Sequence, residues 1–167
     1  METLDKRQKK IANEDSDLGF SKMDRAEVVT SLNQVLADLE IHYQKLRNFH
    51  WNVTGPDFFE LHDKFEELYN ETQERIDEVA ERIRIFKAKP YSTYQEYIDN
   101  SDIREVTEKR SGVEMVHEVL NDFEVLINKM TEVVSKARKT GDIGTEDMMI
   151  VYTKEIEKHY WMLRSFV

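Results

Sequence analysis

The sequence predicts an all-α fold: a four-helix bundle with a short extra helix in the long connection between helices 2 and 3. Three observations carry this. Four stretches repeat apolar residues at helical spacing, one connection is far longer than a turn, and only five Gly and two Pro interrupt 167 residues. Charged side chains make up 35% and apolar ones 40%. Glu, Lys and Leu are abundant, and these residues lose little freedom on entering a helix.

Residues 1–20 read as a flexible N-terminal arm, with basic Lys6, Arg7, Lys9 and Lys10 followed by acidic Glu14, Asp15 and Asp17; residues 21–167 form the bundle domain. Leu32, Leu36, Leu39, Tyr43, Leu46 and His50 share one face of the first helix, with Asp24 and Glu27 as its expected capping box. It stops at Val53-Thr54-Gly55-Pro56, where Gly suits a left-handed cap and Pro cannot continue the ladder. The second helix, from Asp57 to Lys87, carries Phe58, Leu61, Phe65, Leu68, Ile76, Val79 and Ile83. After Pro90 comes the long connection, in which Thr93 and Glu96 predict a short helix over Tyr94 to Asn100. Ser111 and Glu114 cap a third helix striped by Val113, Val116, Leu120, Phe123, Ile127, Met130, Val134 and Ala137. Gly141 and Gly144 are expected to break it, and Thr145 to start the fourth, with Glu146 and Asp147 suiting the positive helix end. Two helix pairs joined by one long crossover make the ferritin-like topology.

The composition excludes several classes. Without Cys there is neither a disulfide framework nor a thiolate metal site. No apolar run is long enough to span a membrane. Met1 to Lys10 is polar and lacks the apolar stretch of a secretory signal, so a cytoplasmic location is expected. A net charge of −10 disfavours nucleic acid as a partner for the body of the protein.

Five His are candidates for chemistry. Glu114 and His117 form one Glu-x-x-His match, but Glu114 already serves a cap and a second match is missing, so a metal site inside the bundle is not expected. His50 ends the stripe of the first helix, and His62 lies one turn into the second. Asp77 and Glu81, spaced i, i+4, point one way and border the apolar side near Ile76, Val79 and Ile83. Two imidazoles and two carboxylates suit Fe(II), Zn or Mn. Yet His62 and Asp77 are about 22 Å apart along one helix, too far to share an ion. A joint site therefore requires a second copy, its second helix antiparallel to the first, related by a two-fold axis. An acidic solvated face beside core histidines accounts for the same residues.

The stretch His50-Trp51-Asn52-Val53-Thr54-Gly55-Pro56-Asp57-Phe58-Phe59, then Leu61-His62, then Asp77-Glu78-Val79-Ala80-Glu81-Arg82, resembles the signature of the Dps family, bacterial mini-ferritins known as DNA-binding proteins from starved cells. His159-Tyr160-Trp161-Met162-Leu163-Arg164-Ser165-Phe166 is similar to the family's last helix, and the likeness runs from Ser21 to Val167.

The resemblance implies a hollow homo-dodecamer that oxidises Fe(II), preferably with hydrogen peroxide, and stores Fe(III) mineral, protecting against oxidative damage. Iron sites would lie between subunits, with His50 and His62 from one chain and Asp77 and Glu81 from its two-fold mate; no haem is implied. Glu66 stands where many relatives have Asp, which bears on a second iron. Trp51 has two readings, as a trap for stray oxidising equivalents beside the site and as plain packing. Asp142 and Asp147, with Glu146, match a pore for incoming iron; their alternative is helix-start chemistry. Lys6, Arg7, Lys9 and Lys10 are candidate DNA contacts on the arm, although five acidic residues accompany them in the first 17 positions. A nucleoid protein that coats DNA with little ferroxidase activity is the alternative function. A larger ferritin or bacterioferritin is disfavoured by the missing second Glu-x-x-His and the lack of an evident haem-binding Met.

Overall fold

The computed structural model describes Gly19 and residues 21–167, apart from the side chains of Lys22 and Asp24. The rest of the arm, including Lys6, Arg7, Lys9 and Lys10, lies outside the described residues. Five helices follow in order: α1 Lys22–Asn52, α2 Phe58–Ile85, α3 Tyr94–Asn100, α4 Gly112–Thr140 and α5 Ile143–Phe166. No strand occurs among the described residues, and no helix is long and apolar enough to cross a membrane. The four long helices pair as α1 with α2 and α4 with α5, while α1 also packs on α4 and on the short α3.

α1 is buried on more than the one stripe its spacing suggested. Leu32, Val35, Leu36, Leu39, Leu46 and Phe49 enter the core, but so do Asp38, His42 and Lys45. Tyr43, expected on the core face, is only half-buried. Burying charge is costly unless it is paired. Here Asp122 of α4 answers two groups at once, its Oδ2 accepting from His42 Nδ1 at 2.9 Å and its Oδ1 from Lys45 Nζ at 2.7 Å.

The long connection is tied to α1 by side chains that reach its backbone. Asp38 Oδ1 accepts from Ser101 Oγ at 2.9 Å and from the amides of Asp102 at 2.7 Å and Ile103 at 3.3 Å. Burial nonetheless pushes the Asp38 carboxyl up from its ordinary range, against the lowering effect of those donors. Asn33 Oδ1 accepts from the Tyr91 amide at 2.8 Å, and Asn48 donates to the Val106 carbonyl at 2.9 Å. Twenty-odd residues without long helix are thereby held along the bundle.

Caps account for most boundaries. The Thr93–Glu96 and Ser111–Glu114 boxes both form. α1 opens at Lys22, so Asp24 falls inside its first turn instead of at its cap. Gly141 takes the left-handed conformation (φ 74°) that ends α4, a position where a side chain would be strained. At the next start the expectation fails. Asp142, not Thr145, caps α5, its side chain accepting from the Thr145 amide at 3.1 Å, because an Asp one residue before the helical period fits the cap position better than a Thr within the first turn. Gly144 lies inside α5 and breaks nothing; a Cβ there would sit 3.0 Å from the Arg82 guanidinium. Val113, also assigned to the core stripe, is 45% exposed, and Met115, Val119, Leu126 and Val133 fill the face instead.

Long polar side chains also line the seam between α2 and α5, beside the apolar residues both helices give to the core. Arg75 bridges to Glu71 at 2.9 Å and Glu155 at 3.0 Å, His159 Nε2 donates to Glu71 at 2.9 Å, and Tyr152 Oη donates to Glu78. Arg82 Nε donates to Thr145 Oγ1 at 2.9 Å and its NH2 pairs with Asp142.

Two predictions follow from these contacts. Asp122→Ala leaves the Lys45 ammonium buried and unpaired, and is expected to cost about 3–5 kcal/mol of unfolding free energy in denaturant titration; a loss within experimental error contradicts the account. Hydrogen bonds from Ser111 hold the Glu114 carboxyl below its ordinary 4.5. Its cap thus stabilises α4 above that pH and weakens as acid protonates the folded-state carboxylate. A carbon-detected NMR titration should place the Glu114 midpoint below 4.5; a midpoint at or above it contradicts the box.

Candidate metal centre

The turn after α1 brings its last residues beside the first turn of α2. Gly55 takes φ 115°, a conformation open to Gly and strained for other residues, and its carbonyl accepts from the Phe58 amide at 3.2 Å. At a helix end the final carbonyls lack intrahelical donors. His62 supplies one: its Nδ1 donates to the His50 carbonyl at 2.9 Å. His50 returns the contact, Nδ1 donating to the His62 carbonyl at 2.8 Å. The two rings stack with centroids 3.8 Å apart at 22°. Phe58 stacks on His62 at 5.0 Å, and Tyr69 meets the His50 ring edge-on at 5.4 Å.

This reciprocal exchange fixes one nitrogen of each imidazole. A carbonyl oxygen only accepts, so each Nδ1 carries a proton, and in the neutral form of the ring Nε2 presents an unshared lone pair. Glu66, one turn beyond His62, completes a group whose candidate ligand atoms all lie within 4.8 Å of one another: His50, His62 and Glu66. His50 is buried, His62 half-buried and Glu66 exposed, so the group opens at the protein surface. Such a mixed N/O set fits a borderline divalent ion.

Asp77 and Glu81 do not join it. Both are exposed on α2, flanking half-buried Ile76 and Ala80, and neither belongs to a ligand group among the described residues. The apolar border expected for them is therefore only partial in the single chain. The distance along α2, about 22 Å from His62, is what the helix rise requires. Glu114 caps α4 and His117 is exposed, so that pair forms no site inside the bundle.

A second group, Glu67, Glu71 and His159, is also close enough to hold an ion. Cations of the chain already occupy it: Lys64 Nζ lies 2.9 Å from Glu67 and donates to His159 Nδ1 at 3.2 Å, and Arg75 pairs with Glu71 at 2.9 Å.

The remaining candidates are scattered. Trp51 is 58% exposed, with the Arg47 guanidinium 4.7 Å from its ring centre. Asp142 is 1% exposed and spends one oxygen on Arg82 and the Thr145 amide, so within the single chain it serves the helix start. Glu146 pairs with Arg138 at 2.7 Å, and Asp147 is exposed. Sequence reasoning overlooked Tyr69, whose Oη donates to Glu66 at 3.2 Å. Its place three residues after Glu66 and seven after His62 puts it on their face of α2, and that spacing was the available signal.

Comparison with known proteins identifies the family of the fold. The Ferritin-like domain model matches residues 29–167. DNA protection during starvation protein 2 of Bacillus anthracis is 40% identical over 141 residues, covering 84% of this chain and 97% of that protein. The DNA protection during starvation protein of Brevibacillus brevis is 41% identical over 140 residues, covering 84% and 94%. Among solved structures, Dps from Vibrio cholerae, described as a member of a broad superfamily of ferritin-like diiron-carboxylate proteins, superimposes with a TM-score of 0.89 at 34% identity, covering 92% of this chain and 98% of that one. Dps from Staphylococcus aureus gives 0.81 at 41% identity, covering 83% and 93%. A four-helix bundle matched over nearly its whole described length by both sequence and structure has one reading: the chain belongs to the Dps family of ferritin-like proteins.

Proposed function

We propose that this protein is a ferroxidase that oxidises Fe(II) with hydrogen peroxide at sites shared between two copies, and stores the Fe(III) product inside a dodecameric shell. The observation that carries this reading is the His50–His62 pair, whose Nε2 lone pairs are presented beside Glu66 at an open surface. Three candidate ligands from one chain leave a site incomplete. Asp77 and Glu81, exposed on the same helix and out of reach, are the complement a two-fold mate running antiparallel would supply.

In this scheme His50 and His62 with the mate's Asp77 and Glu81 would hold the Fe(II), and Glu66 would reach a second ion. Two Fe(II) each give one electron, and with two protons hydrogen peroxide becomes two water molecules, releasing no hydroxyl radical. The neutral imidazoles contribute lone pairs without adding positive charge, which favours a cation. Twelve chains would carry a total charge of about −120, drawing Fe(II) to the assembly at low ionic strength. Asp147 is the exposed carboxylate at the α4–α5 corner that could face incoming iron. Glu146 and Asp142 would first have to loosen their Arg138 and Arg82 pairs.

The names of the Bacillus anthracis and Brevibacillus brevis relatives favour a second reading, a protein that coats DNA, with Lys6, Arg7, Lys9 and Lys10 as its contacts. A cytoplasmic location suits both.

Two measurements test the site. Near-UV absorbance should show fast Fe(II) oxidation by stoichiometric peroxide, slowed roughly 10–100-fold in an assembled Asp77→Ala shell. Equal rates in both proteins would move the DNA-coating reading to first place. Nitrogen-15 NMR above the ordinary His range of about 6.5 should find Nδ1 protonated and Nε2 bare in His50 and His62, with added Zn(II) shifting Nε2 alone. A proton on Nε2 of either ring would remove the basis of the proposal.

A further inference from the structure

We propose that Asp38 and His42 share one proton at neutral pH, held between Asp38 Oδ2 and His42 Nε2, which leaves the charged cluster inside the α1–α4 interface electrically neutral. The inference is independent of the iron chemistry above.

Two buried atoms point to it. Among the described residues three buried side-chain atoms find no hydrogen-bond partner, and two of these, Asp38 Oδ2 and His42 Nε2, belong to side chains one turn apart on α1. Asp38 is 0% exposed and His42 1%. The rest of each side chain is already committed. Asp38 Oδ1 takes the Ser101 hydroxyl and the amides of Asp102 and Ile103, and His42 Nδ1 donates to Asp122. Phe123 packs against the His42 ring with centroids 5.4 Å apart, an apolar neighbour that offers the free nitrogen nothing. A carboxylate oxygen and a bare imidazole nitrogen are both acceptors and cannot satisfy each other. One proton between them makes a donor of one and satisfies both.

The balance of charge makes the same demand. Asp38, His42, Lys45 and Asp122 are all buried. With both carboxylates ionised, Lys45 cationic and His42 neutral, the group carries one uncompensated negative charge, which is costly away from water. The shared proton removes it. The other charges near the pair, Asp102 of the long connection and Lys129 of α4, offset each other across 2.7 Å. Glu40, the next carboxylate on α1, is engaged by Tyr97 of α3, and among the described residues no α2 side chain is hydrogen-bonded to or ion-paired with Asp38 or His42. Burial raises the Asp38 carboxyl above its ordinary range, in the direction a bound proton requires. Because the two groups are coupled, the proton belongs to the pair and not to either residue alone.

In the unfolded chain Asp38 and His42 release their protons near their ordinary values, about 3.9 and 6.5. Above the higher value the folded pair keeps a proton that the unfolded chain lacks. Its stabilisation is therefore full up to that pH and is lost as the pH climbs through the pair's own titration. The clamp joining α1, the connection and α4 holds in mild acid and loosens in alkali.

The test counts protons in the full-length assembled protein. Unaltered protein and Asp38→Asn are unfolded in guanidinium at a pH of about 7.5, in weak buffer with an indicator dye, where unfolded His42 is mostly neutral. In the variant the amide nitrogen can donate to His42 Nε2 while its oxygen keeps the Ser101 and backbone contacts, so no extra proton is needed. The unaltered chain should release about one proton more than the variant, the difference bound by the folded pair. Equal release overturns the proposal. Neutron diffraction from crystals of the unaltered protein at the same acidity decides the matter even if the variant fails to assemble. A deuteron on Asp38 Oδ2 or His42 Nε2 supports the shared proton. Two bare atoms, with a water between them donating to each, overturn it.

Discussion

Everything in this bundle is arranged around the fact that α1 has no fully solvated side over most of its length. A helix that must hide Asp38, His42 and Lys45 among Leu and Val needs partners for each of those groups. Asp122 meets two of them from α4, and the Ser101 hydroxyl with backbone amides of the long connection meets the third. These contacts fix the rotation of α1, the register of α4 and the course of the crossover together. The Gly55–Pro56 turn sets where α1 ends, and hence where His50 stands.

The candidate site is a consequence of that ending. The unpaired carbonyls of the last turn of α1 would need donors in any fold. Using an imidazole as the donor satisfies the backbone and leaves the far nitrogen of the ring bare. One hydrogen bond thus completes a helix terminus and prepares a ligand. His62 performs this service for α1, and His50 returns a hydrogen bond to the His62 carbonyl within α2, so neither ring can change tautomer without breaking a backbone contact. Tyr69 and Phe58 close the pair from the edge and the face, leaving the Nε2 side for chemistry.

The sequence made the helices legible because apolar spacing and capping boxes are local signals. Thr93–Glu96 and Ser111–Glu114 need only three residues of context, and both formed as read. Asp142 was harder, since an acidic residue near a helix start fits a cap and an exposed carboxylate equally well. Only its burial and its Arg82 partner distinguish the two. His50 and His62 were visible as candidates, whereas their mutual hydrogen bonds depend on how tightly the Gly55 turn closes. The Asp38 and Asp122 contacts join residues more than sixty positions apart, and no periodicity encodes them. Tyr69 went unnoticed because an aromatic on a helix face is ordinarily core, and only its hydroxyl partner marks it as something else.

The seam between α2 and α5 has a mechanical meaning. The α1–α4 side is joined by buried side chains, the Asp122 pairs with His42 and Lys45 among them, which resist sliding because any shift opens a void or unpairs a charge. Its opposite side is spanned in good part by arginine, glutamate and histidine arms such as Arg75, Glu71, Glu155 and His159. Long arms can follow a small displacement without losing their partners, and water can stand in where they part. The seam can therefore give at its polar rim, while the apolar residues of α2 and α5 beneath it, Leu68, Val79, Met149 and Ile156 among them, stay locked in the common core.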